Sequence, residues 1–170
     1  VRICELSSPQ ATPEDWEGEA IRYCDDMIAQ LGETLEPLVS ELGISLVGRT
    51  PGLVIESGDV PSDDPPELTN EVATKWLGIL TRAKLLVLHF LGPGWGNLEL
   101  RVSGDEDDTE PFNVHTHPGM TVILLTDTII YEHTSAQTSY AVASYACGER
   151  TSWYKRPTAE LLNPAVAAID

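Results

Sequence analysis

The chain has 170 residues, 42% of them apolar and 22% charged, which suits one packed core over residues 1–170 and argues against wholesale disorder. Lys plus Arg number 10 against 27 Asp plus Glu, a formal net charge of −17. That balance excludes a generic nucleic-acid binder or a protein of anionic membrane surfaces, since both require a basic face. No run of about 20 apolar residues occurs, so no membrane-spanning helix is expected. Cys4, Cys24 and Cys147 are odd in number, widely spaced and without a CxxC pair. Three reduced thiols, at least one of them buried, and a cytoplasmic setting are expected.

The first predicted element is a helix. Thr12 caps it, Pro13 suits its first turn, and Glu14 and Asp15 favour the positive end of the dipole. Apolar residues follow at helical spacing, among them Trp16, Ala20, Cys24, Ile28, Leu31, Leu35, Val39 and Leu42. Pro37 predicts a kink or break near Gly32 to Glu36, and Gly43 ends the element. Ile44 to Val47 and Leu53 to Glu56 then read as a hairpin around Gly48-Arg49-Thr50-Pro51-Gly52. Ser57 to Glu67, acidic and proline-rich, reads as a loop, and Thr69 to Ala83 as a second helix.

The remainder reads as strands. Lys84 to Leu91 is an apolar run of the kind buried on both faces. Asn97 to Ser103 alternates, with Leu98, Leu100 and Val102 inward. Gly104 to Pro111 is an acidic loop. Phe112 to His117, Met120 to Glu132 and Thr138 to Cys147 are further strands, the last also readable as helix, and a short helix interrupted at Pro164 closes the chain. The expected fold class is α+β: a helix, a hairpin, a second helix, then a mainly antiparallel sheet, a partial double-stranded β-helix being one form of it.

Phe112-Asn113-Val114-His115-Thr116-His117-Pro118-Gly119 carries the chemistry. Residues two apart on a strand share a face, so His115 and His117 can address one ion, and Pro118-Gly119 puts them at a strand end open to solvent. Neutral imidazole suits a divalent metal such as iron or zinc. Asp127, Glu132 and His133 are the nearby candidates for a third ligand, and an acid there would complete the two-histidine, one-carboxylate set of non-haem iron.

These residues resemble three families. His115 to Val122 is similar to the metal-binding strand of the cupin-type thiol dioxygenases. His115 to Asp127 is similar to the first metal motif of the 2-oxoglutarate and iron-dependent oxygenases, which reads H-T-D-P-G, an apolar run and an acid; His117 stands where that motif has aspartate. Both resemblances imply a double-stranded β-helix with His115 as an iron ligand. The third resemblance is to the JAMM zinc hydrolases: Glu41-Leu42-Gly43 before a strand, then His115-Thr116-His117-Pro118. It implies Glu41 as general base on a zinc-bound water held by His115, His117 and Asp127.

Two functions follow. One is a metal-dependent enzyme, iron oxygenase-like or zinc hydrolase-like, acting on a small molecule or peptide. The other is a non-enzymatic acidic binder of a basic protein, with Asp59 to Glu67 and Asp105 to Glu110 as its contact surface. His89, inside the apolar run, reads as a satisfied core histidine, and Trp95 between glycines as a loop plug.

Overall fold

The computed structural model describes residues 2–5, 16–58, 69–104 and 110–149, with the backbone alone for 2–5 and 16–21. Eleven elements follow in order: β1 (Arg2–Glu5), α1 (Trp16–Glu41), β2 (Leu46–Arg49), β3 (Leu53–Ser57), α2 (Asn70–Leu80), β4 (Ala83–Pro93), β5 (Gly96–Val102), β6 (Phe112–Thr116), β7 (Thr121–Leu125), β8 (Ile129–Ser135) and β9 (Ser139–Gly148). The expected capping residues of the first helix, both acidic loops except Glu110, and the closing helix lie outside the described residues.

Every strand pairing is antiparallel. The larger sheet runs β1-β3-β9-β4-β7, with β2 also on β9, and the smaller runs β6-β5-β8. The core lies between them: Leu53, Leu86, Leu88, Phe90, Ala141 and Ala143 from the larger sheet meet Leu98 from the smaller. The other face of the larger sheet presents Val87 and Val142 to Ile28 of α1. The architecture is therefore α+β, a helix on a two-sheet, jelly-roll-like sandwich. β4 lies between β7 and β9 and is covered on both faces, which is why Lys84 to Leu91 reads as a mainly apolar run. Among the described residues no helix is long and apolar enough to cross a membrane.

Several expectations are corrected. α1 runs unbroken through Pro37. The missing Pro37 N–H leaves the Glu33 carbonyl without its helical partner, and both residues are exposed, so no buried polar group is stranded. β2 and β3 do not form a hairpin; both lie along the same edge of β9. The pentapeptide between them bridges instead of reversing. Thr50 N–H donates to the Tyr145 carbonyl at 2.9 Å, and the Thr50 hydroxyl accepts from Tyr145 N–H at 3.0 Å, so a side chain replaces a ladder carbonyl. The bridge is tied to α1 by Asp25, whose carboxylate accepts two Arg49 N–H bonds of 2.7 Å and one from Gly52 N–H at 2.8 Å.

α2 forms where a helix was expected, capped by Thr69 Oγ1 accepting from Val72 N–H, but it stops at Leu80 because Ala83 already enters β4. Met120 to Glu132 is two strands in different sheets, β7 and β8, separated by a turn at Thr126 to Thr128. Ser139 to Gly148 is strand throughout, and β1 is a strand that no local pattern announced. Cys147 is buried and, like Cys24, a free thiol; burial pushes both thiols above their ordinary range. His89 is partly buried, and its Nδ1 meets the Thr121 hydroxyl at 2.9 Å.

Candidate functional site

The smaller sheet sets the orientation of His115 and His133. Leu98 is 0% exposed, and its partners across the ladder are Val114 on β6 and His133 on β8. Directly opposed residues share a face, so Val114, Leu98 and His133 all face the core. By alternation the next row, His115, Asn97 and Thr134, faces outward. Thr116 turns inward again and is 2% exposed, while His115 and His117 on either side of it are exposed.

The two outward histidines sit at the rim where β6 ends. His117 Nδ1 lies 3.0 Å from the Pro118 carbonyl, an acceptor, so Nδ1 carries the proton and Nε2 keeps its lone pair. The His117 ring lies 5.9 Å from that of Trp95, which is 71% exposed and so is not the expected plug. His115 is the ladder partner of Asn97. Asn97 donates to the Asn113 amide oxygen at 2.6 Å, and its own Oδ1 is buried without a hydrogen-bond partner.

Asp127 and Glu41 are not brought to this rim. His117 precedes β7 and Asp127 follows it, so the strand separates them by about 16 Å. Asp127 pairs with Lys84, 3.3 Å away, at the start of β4. Glu41 is the exposed last residue of α1, near Leu46, whose ladder partner Gly148 lies beside Ala83 and Lys84. Gly119 N–H, by contrast, bonds the Phe90 carbonyl near the other end of β4. Glu132 faces outward opposite Glu99, which is held by Arg101 at 2.6 Å. Among the described residues no three His, Cys, Asp or Glu side chains gather as a metal site, so the two imidazoles alone do not make up the donor set iron takes.

The inner face of the same strands holds a second arrangement that the sequence reading did not assemble. His133 Nε2 lies 3.0 Å from Thr116 Oγ1, and its Nδ1 lies 3.0 Å from Ser57 Oγ, at the end of β3 in the opposite sheet. Phe90 closes the ring from below, with centroids 4.9 Å apart. Gly96 makes room for it, because a Cβ there would overlap His133 Nε2. Burial holds the His133 imidazole below its ordinary range. Beside it lies a cavity of about 290 Å³, lined by Ile55, Ser57, Leu88, Phe90, Tyr131, Glu132, His133 and Ala141. The alternation Ile129, Tyr131, His133, Ser135 put His133 inward in the sequence, but nothing local pointed to Ser57, which arrives from the other sheet.

No family model matches the sequence, and no curated protein does. Among solved structures the chain is similar to a prolyl hydroxylase in complex with a hypoxia inducible factor oxygen degradation domain peptide fragment, from Trichoplax adhaerens. The TM-score is 0.54 at 16% identity over 86% of this chain, which spans 62% of that protein's length. It is also matched to Streptomyces albus HEPD with 2-hydroxyethylphosphonate and Fe(II) bound, at a TM-score of 0.39 and 13% identity over 71% of this chain and 23% of that one. The first likeness establishes a shared fold.

Proposed function

We propose that the chain is a non-haem iron oxygenase-like protein acting on a peptide or small molecule, with His115 and His117 donating imidazole nitrogens to divalent iron. The observation that carries this reading is the exposure of both imidazoles on either side of the anchored, buried Thr116 at the rim of the sandwich. The backbone likeness to a prolyl hydroxylase with a bound peptide supports it and suggests the substrate class.

Iron at this rim would supply dioxygen and one-electron chemistry. The chain's own residues prepare the place. Thr116, bonded to His133, fixes the end of β6 and with it the stems of both flanking histidines. The Pro118 carbonyl holds His117 in the tautomer whose Nε2 is free to donate. Trp95 offers an exposed aromatic face 5.9 Å from that ring, on which a substrate can stack. The zinc hydrolase-like reading has no comparable support, because Glu41 and Asp127 stand apart from the two histidines.

Cobalt(II), a stand-in for iron(II), tests the reading in a titration followed by tryptophan fluorescence. Saturable quenching is expected, because Trp95 adjoins His117, and it should vanish in both His115→Ala and Trp95→Phe. Absence of saturable quenching in the wild type, or quenching unaffected by His115→Ala, would refute it.

A further inference from the structure

The cavity beside His133 has a definite hydrogen-bonding polarity. Ser57 Oγ lies 3.4 Å from the Ser139 carbonyl, which can only accept, so the Ser57 proton points there. Nδ1 of His133 must then carry a proton and donate to Ser57, while Nε2 accepts from the Thr116 hydroxyl. The other tautomer would take the Ser57 proton away from Ser139. It would also leave the hydroxyl proton of Thr116, a residue 2% exposed, with no acceptor among the described residues. Buried hydroxyls strongly favour the fully paired arrangement.

In that arrangement Ser57 Oγ donates once, accepts once and retains one lone pair, on a residue that lines the cavity. The other walls are apolar: Ile55, Leu88, Phe90 and Ala141. Tyr131 stays a neutral phenol, its ionisation disfavoured by burial and by the hydroxyl of Tyr145. Glu132 reaches the lining from β8, but the residue is exposed and belongs to the outward row. No lysine or arginine lines the cavity among the described residues, so nothing there compensates a buried anion.

We infer that this cavity binds a small uncharged molecule with an apolar body and one O–H or N–H donor, the donor meeting Ser57 Oγ. The site is on the inner face of the smaller sheet, whereas His115 and His117 are on the outer, so the inference stands whether or not iron binds at the rim.

Benzyl alcohol, toluene and benzoate serve as probes of one shape and three polarities, titrated into the full chain by NMR. Benzyl alcohol should bind saturably, and benzoate at least about tenfold more weakly. Ser57→Ala should weaken benzyl alcohol about five- to tenfold and leave toluene within about twofold. Long-range ¹⁵N–¹H correlation on the wild type should show His133 protonated at Nδ1, a readout independent of any variant's folding. No saturable binding of benzyl alcohol, equal or tighter binding of benzoate, indifference to Ser57→Ala in a folded variant, or an Nε2-protonated His133 would overturn the inference.

Discussion

Two glycines should respond to alanine with opposite signs, and the difference follows from what a methyl group would meet. At Gly96 it would fall 2.7 Å from the Thr134 carbonyl oxygen and 2.9 Å from Thr116 Oγ1, besides overlapping His133 Nε2. The carbonyl belongs to a paired strand and cannot swing away, so β5 must shift or the imidazole must leave. Overpacking of this kind costs about 1–3 kcal/mol. If the His133–Thr116 bond also breaks, a buried hydroxyl loses its partner at a further ~1–3 kcal/mol. Gly96→Ala should therefore lose about 3 kcal/mol, or roughly 6–12 °C in Tm for a domain of this size. Gly32, in the middle of α1, has nothing within 4 Å of the same position. Gly32→Ala should gain about 0.5–1 kcal/mol through helix propensity and a restricted unfolded chain. Urea unfolding of both variants checks the pair, with the His133 ring resonances reporting displacement in Gly96→Ala. A Gly96→Ala protein as stable as the wild type, with an unmoved His133 signal, would refute the packing argument.

Asp25→Ala removes three hydrogen bonds that tie α1 to the Arg49–Gly52 bridge, and the pair is less than a third exposed, so a loss of about 2 kcal/mol is expected in urea unfolding. Arg49 holds the Asp25 carboxyl below its ordinary range, so this contribution is complete above the unfolded carboxylate value of about 4 and disappears as the pH falls through the lower folded value; in Asp25→Ala that acid-limb loss should be smaller. Burial depresses both His133 and His89, which means the unfolded chain binds protons first on acidification. Stability should decline as the pH drops below about 6.5, and His133→Gln should flatten that slope while leaving the share of His89; a slope unchanged by the substitution would count against the buried, neutral ring.

The parts of the fold written in local patterns were legible in the sequence. The mainly apolar run of β4, the alternation of β5 and the helical pattern of α2 each depend on residues within a few positions of one another. The Gly48 to Gly52 bridge misled for the same reason. Its residues are turn formers, yet its path is decided by β9, almost 100 residues later, and by the Thr50 hydroxyl taking a ladder position. Met120 to Glu132 hid a sheet change because β7 and β8 are both apolar-rich and the turn between them is short. The rim was partly legible: alternation alone put His115 and His117 on one side of Thr116. That Thr116 and His133 meet, and that Ser57 completes the chain of hydrogen bonds, depends on three strands and two sheets whose pairing no single stretch encodes.

X-ray absorption at the iron edge, on protein loaded with iron(II) without oxygen, tests the assignment of the rim most directly. The account predicts one iron per chain with the scattering pattern of two imidazoles, and loss of the bound iron in His115→Ala. An iron-free chain after loading, or a first shell without histidine, would contradict it.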